Sequence, residues 1–333
     1  MLLLLNSFAH FLVDGLCIAT LFGSIAATGD ITSAALIYNT LAFSTQCLVG
    51  LATDETGHWE ALCCASMLLV LLGFALPLNW LIRLCFVGLG NSLFHVTGGS
   101  MTLRESGGKA AKLGVFVAPG AFGVTLGTLW PGLGIVFAVL LFVCAVLMGI
   151  IALRSKEEHI KSGVRRAGKI PLLAIVLLTA AVAVRAVGGS AVSFPWKSGA
   201  VWSLTMTAFV FAGKAAGGFL CDRFGAQRSA FASIPLSALL IAFCSAWALP
   251  SLAGQFLLNL SMPVTLYLLY KSMPDSPGFA FGLAASALWP GTIAGQLFSL
   301  TGPALWACVI LSFLFGLFAI VYSLRRTQNE KVS

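Results

Sequence analysis

Long apolar runs alternate with very short polar segments along almost the whole chain of 333 residues. A helix of about 20 apolar residues crosses a bilayer, and its backbone groups are hydrogen-bonded within the segment. The first run carries Asp14 in its middle and lacks a basic start, so we interpret it as a span and not as a signal peptide. The pattern predicts twelve membrane-spanning helices at 2–28, 32–53, 59–77, 79–102, 110–130, 132–153, 170–195, 198–221, 229–249, 251–272, 278–300 and 303–324.

The composition supports an all-α integral membrane protein. Hydrophobic residues make up 59% of the chain and charged residues 9%, and the mean hydropathy is +0.99. Soluble globular chains carry about 25% charged residues, so water-soluble enzymes, nucleic-acid-binding proteins and disordered chains are excluded. The nine cysteines lie almost all in apolar runs, with no CxxC pair and no Cys/His cluster, which predicts neither disulfides nor a metal site.

The net charge of +8 is explained by the placement of the basic residues. With a cytoplasmic N-terminus, 15 of the 19 Lys and Arg residues fall in segments on the cytoplasmic side, and the external loops hold at most Lys197. Positive charge is enriched in the cytoplasmic loops of membrane proteins. We therefore expect both termini in the cytoplasm, a multi-pass protein of the plasma (inner) membrane, and no nucleic-acid partner.

One long polar segment, residues 154–169, separates the spans six and six. It predicts an N-terminal six-helix bundle at 1–153, a basic cytoplasmic linker at 154–169, a C-terminal bundle at 170–324 and a cytoplasmic tail at 325–333. The basic linker serves either as an orientation signal or as a contact for anionic lipids.

The two halves repeat at an offset of 168 residues. The shift superposes GLATDETG (50–57) on GFLCDRFG (218–225). Six spans, an even number, separate the related helices, which predicts two bundles related by a parallel pseudo-two-fold axis. The matched pairs include Gly50 with Gly218, Asp54 with Asp222, Gly57 with Gly225, Asn91 with Asn259, Gly114 with Gly282, Gly123 with Gly291 and Gly127 with Gly295.

The segment GGFLCDRFGAQR resembles the signature of the major facilitator superfamily between helices 2 and 3 and between helices 8 and 9. HFLVDG (10–15) and GLGNSLFHVTGG (88–99) are similar to helices 1 and 4 of its fosmidomycin-resistance branch, which exports a phosphonate antibiotic. The resemblance implies a transporter without a cofactor whose helices 1, 4, 7 and 10 line a central cavity. It also implies a gating loop, although DETGH in the first half lacks the basic residues of the signature. The gating residues would be Asp54, Gly57, Gly218, Asp222, Arg223, Gly225 and Arg228.

The residues of this loop also have a physical interpretation of their own. A carboxylate and a guanidinium at a helix end cap a neighbouring helix or pair across to it, and such a contact can hold one side of a transporter closed. The alternative is a tight turn that only carries orientation charges.

Charged residues inside spans usually mark a functional path because they are costly there. Asp14 and Arg185 lie at similar depths in spans 1 and 7, which the resemblance assigns to the cavity. His10 lies one turn from Asp14, so Asp14 with His10 and His95 is a candidate for proton coupling. The alternative is a structural ion pair between Asp14 and Arg185.

The remaining polar residues of the spans suggest an anionic substrate. Arg83, Arg185 and Lys214 outnumber Asp14, so a counter-ion or an anionic solute is expected in the cavity. Long basic side chains can instead extend to the membrane surface, and the amides can bond the backbone. The candidate substrate-binding residues are Arg83, Asn91, Arg185, Gln255, Asn259 and Lys214.

The sequence thus predicts a secondary transporter that moves a small organic anion by alternating access, with a proton or sodium ion as coupling ion. A proton-driven exporter of drugs or cations, with Asp14 as acidic anchor, is one alternative, and a passive channel or facilitator is another. No HExxH or GxSxG motif points to an enzyme. The expected partners are a small-molecule substrate and the lipid bilayer, with no obligate protein partner.

Overall fold

The computed structural model of the chain describes residues 1–27, 29–155 and 171–329. The predicted linker falls largely outside these residues, and so does the end of the predicted tail. Twelve helices follow one another along the described chain. They are α1 (Leu2–Ile25), α2 (Ile31–Thr56), α3 (Trp59–Ala75), α4 (Trp80–Glu105), α5 (Ala111–Leu129), α6 (Pro131–Arg154), α7 (Leu172–Ser190), α8 (Gly199–Phe224), α9 (Ala226–Cys244), α10 (Ala248–Ser272), α11 (Pro277–Leu297) and α12 (Gly302–Asn329).

Each predicted span corresponds to one of these helices, and ten of the twelve are long and apolar enough to cross a membrane. The two others are α3, which has 17 residues, and α11, a continuous helix whose sequence contains small and polar residues and Pro290. The largest difference in length is at α7, predicted over 170–195. It ends at Ser190 because Pro195 follows closely and the indole of Trp196 turns back to donate to the Ser245 carbonyl at 3.1 Å.

Three helices are irregular within their length. The last turn of α1 (Thr20–Ile25) and the middle of α2 (Thr40–Ser44) are π-helical, and α5 is interrupted at Ala118 and Pro119. Proline removes a backbone donor, and π-helical turns are frequent at functional sites.

The helices form two compact units. Among the described residues, unit 1 comprises 1–27, 29–105, 119–155 and 275–286, and unit 2 comprises 106–118, 171–274 and 287–329. Each unit therefore consists of most of one half of the chain together with the first part of a helix from the other half. The two exchanged segments, at the starts of α5 and α11, are themselves related by the offset of 168 residues.

The packing inside the two units repeats at the same offset. In unit 1, α3 packs against α4 and α6, and α2 packs against α4. In unit 2, α9 packs against α10 and α12, and α8 packs against α10. Helices at corresponding places in the two halves therefore make corresponding contacts within their own units.

Glycines explain how the exchanged segments pack so closely. A Cβ at Gly50 would collide with the backbone of Gly278 in unit 1, and a Cβ at its mate Gly218 would collide with the backbone of Ala110 in unit 2. Small residues allow helix backbones to approach closely. The GLATDETG and GFLCDRFG segments therefore contain the contact points of α2 with α11 and of α8 with α5.

Candidate functional site

A cluster of ionisable side chains is buried in unit 1, on α1 and α4. His10 and Asp14 lie one turn apart on α1, and His10 Nε2 is 3.3 Å from Asp14 Oδ2. His95 on α4 brings its Nε2 to 3.6 Å from Asp14 Oδ1. The exposed fractions are 4% for His10, 9% for Asp14 and 7% for His95. We call these three residues the His–Asp–His cluster, and they are the residues that the sequence predicted for proton coupling.

Asn91, which the sequence predicted to bind substrate, lies beside this cluster. Its Nδ2 donates to Asp14 Oδ1 at 3.0 Å, and its backbone carbonyl is 3.0 Å from His95 Nδ1. A carbonyl oxygen only accepts hydrogen bonds, so this contact is a hydrogen bond when Nδ1 of His95 carries the proton. The amide therefore contacts the cluster directly, and substrate binding by Asn91 stays a prediction.

In unit 2, Arg185 of α7 lies in an apolar helix with few polar partners. Its Nη1 donates to Ser261 Oγ of α10 at 2.8 Å, which is its one hydrogen bond within the described part of this unit. Asp222 is the single acidic residue among the described residues of unit 2, and it is engaged at the end of α8. A guanidinium has five N–H donors, and the described residues of this unit accept a hydrogen bond from one of them.

Two aspartates at related positions cap the exchanged helix starts. Asp54 accepts the backbone N–H groups of Gly278 and Phe279 at the start of α11, both at 2.8 Å. Asp222 accepts those of Ala110 and Ala111 at the start of α5, at 2.7 and 2.9 Å. Both aspartates and all four amides are related by the repeat offset. Helix N-termini have unpaired N–H groups and favour negative charge, so the two carboxylates act as equivalent caps.

The other residues of the predicted gating loop shape these turns. Gly57 and Gly225 have φ of 69° and 87°, a region that side chains disfavour, and they end α2 and α8. The guanidinium of Arg223 lies 5.4 Å from the ring centre of Phe224, and Arg228 is exposed. The sequence left two interpretations of this loop open: a carboxylate that contacts a neighbouring helix, and a turn that only carries orientation charges. Both carboxylates cap a neighbouring helix within their own unit.

Two of the other residues predicted to bind substrate form hydrogen bonds to backbone carbonyls. Arg83 donates to the carbonyls of Gly73 and Phe74 at 2.9 and 3.0 Å, which caps the C-terminal end of α3. Asn259 donates to the Gln255 carbonyl of its own helix at 2.8 Å, as in the backbone-bonding alternative. The side chain of Gln255 is half-buried on α10, and Lys214 is half-buried on α8.

Two contributors to these sites were missed in the sequence. Ser261 is an isolated hydroxyl in the apolar run of α10, a weak signal that only the contact with Arg185 makes meaningful. Gly120 follows Pro119 on α5, and a Cβ there would collide with the Asp14 carboxylate and lie 2.6 Å from His10 Nε2. Because residue 120 is a glycine, no side chain fills the space that the Asp14 and His10 side chains occupy.

Solved structures with similar folds were found. A variant of the E. coli fucose:proton symporter FucP has a TM-score of 0.72 and 12% identity, and the match covers 96% of this chain and 97% of that chain. FucP, a major facilitator superfamily transporter, in the outward conformation has a TM-score of 0.71 and 11% identity, covering 96% and 98%. No protein-family model and no curated protein sequence matches the chain.

This similarity agrees with the fold that the resemblance in the sequence implies. At 11–12% identity it establishes the fold. Together with ten helices able to cross a membrane, it describes a multi-pass membrane protein. The chain has the all-helical fold of the major facilitator superfamily transporters.

Proposed function

We propose that the protein is a secondary active transporter that moves a small organic anion across the plasma (inner) membrane by alternating access, coupled to protons. It would work as a single chain without a prosthetic group. Twelve spans in two parallel six-helix bundles, with both termini in the cytoplasm, would provide the scaffold. The recurrence of helix contacts and capping aspartates at one offset supports this arrangement, and the distribution of Lys and Arg supports the orientation.

The observation that carries the anionic substrate is the environment of Arg185. Its position is about 20 Å along α7 at 1.5 Å per residue, well inside an apolar segment. Among the described residues of its unit it has one hydroxyl partner and no carboxylate partner. A charge in such surroundings is costly unless an anion compensates it, and a guanidinium matches carboxylate, phosphonate or phosphate oxygens in a bidentate fashion. Lys214, Gln255 and Asn259 remain further candidates for substrate contacts.

The His–Asp–His cluster is the proposed site of proton coupling. The carboxylate of Asp14 has an imidazole nitrogen 3.3 Å from one oxygen and another 3.6 Å from the other, so a proton has more than one acceptor within a short distance. FucP, which has a similar fold, is described as a fucose:proton symporter. In unit 1 the cluster connects α1 to α4, so a change in its protonation acts directly on the packing of these helices.

The test begins with ligand identification. Purified protein is screened by thermal shift against carboxylates, phosphonates and phosphate esters, with neutral sugars and lipophilic cations as comparison classes. A radiolabelled form of the strongest anion is then used in proteoliposomes with an imposed pH gradient. Arg185→Gln should weaken anion binding at least tenfold, whereas the matched change Lys197→Gln at an exposed position should leave it unchanged. Stabilisation by neutral sugars alone would refute the anionic substrate.

Coupling is tested with Asp14→Asn in the same vesicles. The variant should lose the response to the pH gradient and retain exchange of labelled for unlabelled substrate. Unchanged coupling in Asp14→Asn would remove the cluster from the mechanism. A passive channel or facilitator would carry no gradient-driven accumulation, and a channel would show no counterflow.

The buried carboxylate of Asp14 also favours a second candidate, a proton-driven exporter of drugs or cations. A buried acid attracts a lipophilic cation as well as a proton. In that case lipophilic cations would stabilise the protein, anions would have no effect, and Arg185→Gln would leave transport unchanged.

A further inference from the structure

The donor atoms of the His–Asp–His cluster are arranged like those of a metal site. One ring nitrogen of His10, one ring nitrogen of His95 and one carboxylate oxygen of Asp14 all lie within 4.8 Å of one another. The two contacts to the carboxylate measure 3.3 and 3.6 Å. Tetrahedral Zn²⁺ with nitrogen and oxygen ligands at about 2.0–2.2 Å requires ligand atoms about 3.3–3.6 Å apart. The two nitrogen–oxygen contacts, one to each carboxylate oxygen, already have this spacing, and a set of one ligand atom from each residue starts from separations of at most 4.8 Å.

The surroundings of the cluster hold the ligands in the correct state. With a proton on Nδ1, donated to the Asn91 carbonyl, His95 presents the lone pair of Nε2 towards Asp14. Metal-binding histidines almost always donate their second ring N–H in this way, and their carboxylate neighbours are themselves hydrogen-bonded. Asn91 provides that bond too, because its Nδ2 donates to Asp14 Oδ1.

The amide of Asn91, which donates to Asp14, also carries a buried oxygen atom. Asn91 is 1% exposed, and within the described chain its Oδ1 has no hydrogen-bond partner. A buried acceptor without a partner is unfavourable and normally finds a donor or a cation. Gly120 keeps the space beside Asp14 and His10 free of any side chain.

We propose that this cluster binds a divalent transition-metal ion, Zn²⁺ or its analogue Co²⁺, through His10, Asp14 and His95, and that the bound ion inhibits transport. Two imidazoles with one carboxylate favour such ions over Mg²⁺ or Ca²⁺, which prefer all-oxygen sites. The metal would fix α1 to α4 and occupy the position proposed for the exchangeable proton. The inference uses the same cluster as the proposed coupling, but metal binding itself does not require that the protein transports anything.

The test measures binding of Co²⁺ by visible absorption in purified protein that carries no histidine tag. Wild type should bind one Co²⁺ per chain with the intense d–d bands of a tetrahedral site, and Zn²⁺ should abolish them. His95→Ala and His10→Ala should lose these bands, and Asn91→Ala should weaken binding about 10- to 100-fold. His58→Ala, at an exposed position before α3, and His159→Ala are matched controls that should bind like wild type.

Each variant is first checked for a single symmetric peak on size-exclusion chromatography. If an alanine variant fails this check, the test is made with His95→Gln. Absent bands in wild type would overturn the proposal, and so would equal Zn²⁺ affinity in wild type and His95→Gln measured by calorimetry. If the Co²⁺ bands are observed but no gradient-driven flux is found, the metal site is supported and the proposed transport function is refuted. If flux is coupled through Asp14 but Co²⁺ does not bind, the transport function is supported and the metal site is refuted.

Zn²⁺ inhibition is measured last, on the flux of wild type and of His58→Ala. Both should be inhibited, and removal of the metal with a chelator should restore flux. Binding without inhibition would overturn the regulatory part of the proposal.

Discussion

The paired caps allow a quantitative prediction, because Asp54 and Asp222 make equivalent contacts in separate units. Each carboxylate accepts two backbone N–H bonds of 2.7–2.9 Å. Replacement of a capping residue by alanine costs about 0.5–2 kcal/mol. Asp222 is exposed, and water can replace its bonds, so Asp222→Ala should cost about 1 kcal/mol. Asp54 is half-buried, so Asp54→Ala should cost about 2 kcal/mol.

These costs are measured as shifts of the midpoint of thermal unfolding in detergent. A change of 1 kcal/mol moves the midpoint by about 2–4 °C for a unit of 150–250 residues. We therefore expect a fall of about 2–4 °C for Asp222→Ala and about 4–8 °C for Asp54→Ala. Glu55→Gln removes an exposed neighbouring charge and serves as the control, with an expected change under 1 °C. Midpoints of both aspartate variants within 1 °C of the control would refute the capping argument.

Three other changes test the packing and the local electrostatics. Gly218→Ala should destabilise by about 1–3 kcal/mol because its Cβ would meet helix backbone, whereas Gly316→Ala, with open space around it, should be neutral or stabilising in the same thermal assay. Gly120→Ala should abolish the response of transport to a pH gradient because it fills the space beside the His–Asp–His cluster; a normal response would contradict that geometry. The Ser33 hydroxyl and nearby amides lower the pKa of Asp30, the N-cap of α2, so the cap should be fully effective above about pH 4 and weaken as the pH falls through the lowered pKa. Faster hydrogen exchange in the first turn of α2 in Asp30→Ala would confirm this cap, and an unchanged rate would contradict it.

The sequence determined much of the fold because the membrane simplifies the physical problem. Backbone groups in lipid must be paired within a helix, so runs of apolar residues identify helices directly. All twelve predicted spans correspond to helices, and the offset of 168 residues recurs in the contacts of both units. Helix ends were less well determined, as at α7, because a turn at Pro195 and a side-chain contact of Trp196 decide where it stops.

The candidate site could be predicted only in part. The i, i+4 spacing of His10 and Asp14 brings them to one face of α1 in any helix, so this pair follows from the sequence. The addition of His95 and the role of Asn91 depend on how α4 packs against α1, which no local pattern specifies. For Arg83, the charge within a span suggested a substrate contact. The structure shows that its guanidinium donates to two carbonyls at the end of α3, a contact that the sequence did not predict.

The sequence by itself determined the helices, the repeat and the presence of unusual charges within spans, because hydrophobicity and periodicity are local properties. Only the tertiary structure decided which of those charges acquire partners, because hydrogen bonds and ion pairs form between helices that are far apart in the chain. It placed a carboxylate beside two imidazoles in one unit, and among the described residues of the other unit it gave a guanidinium a single hydroxyl partner.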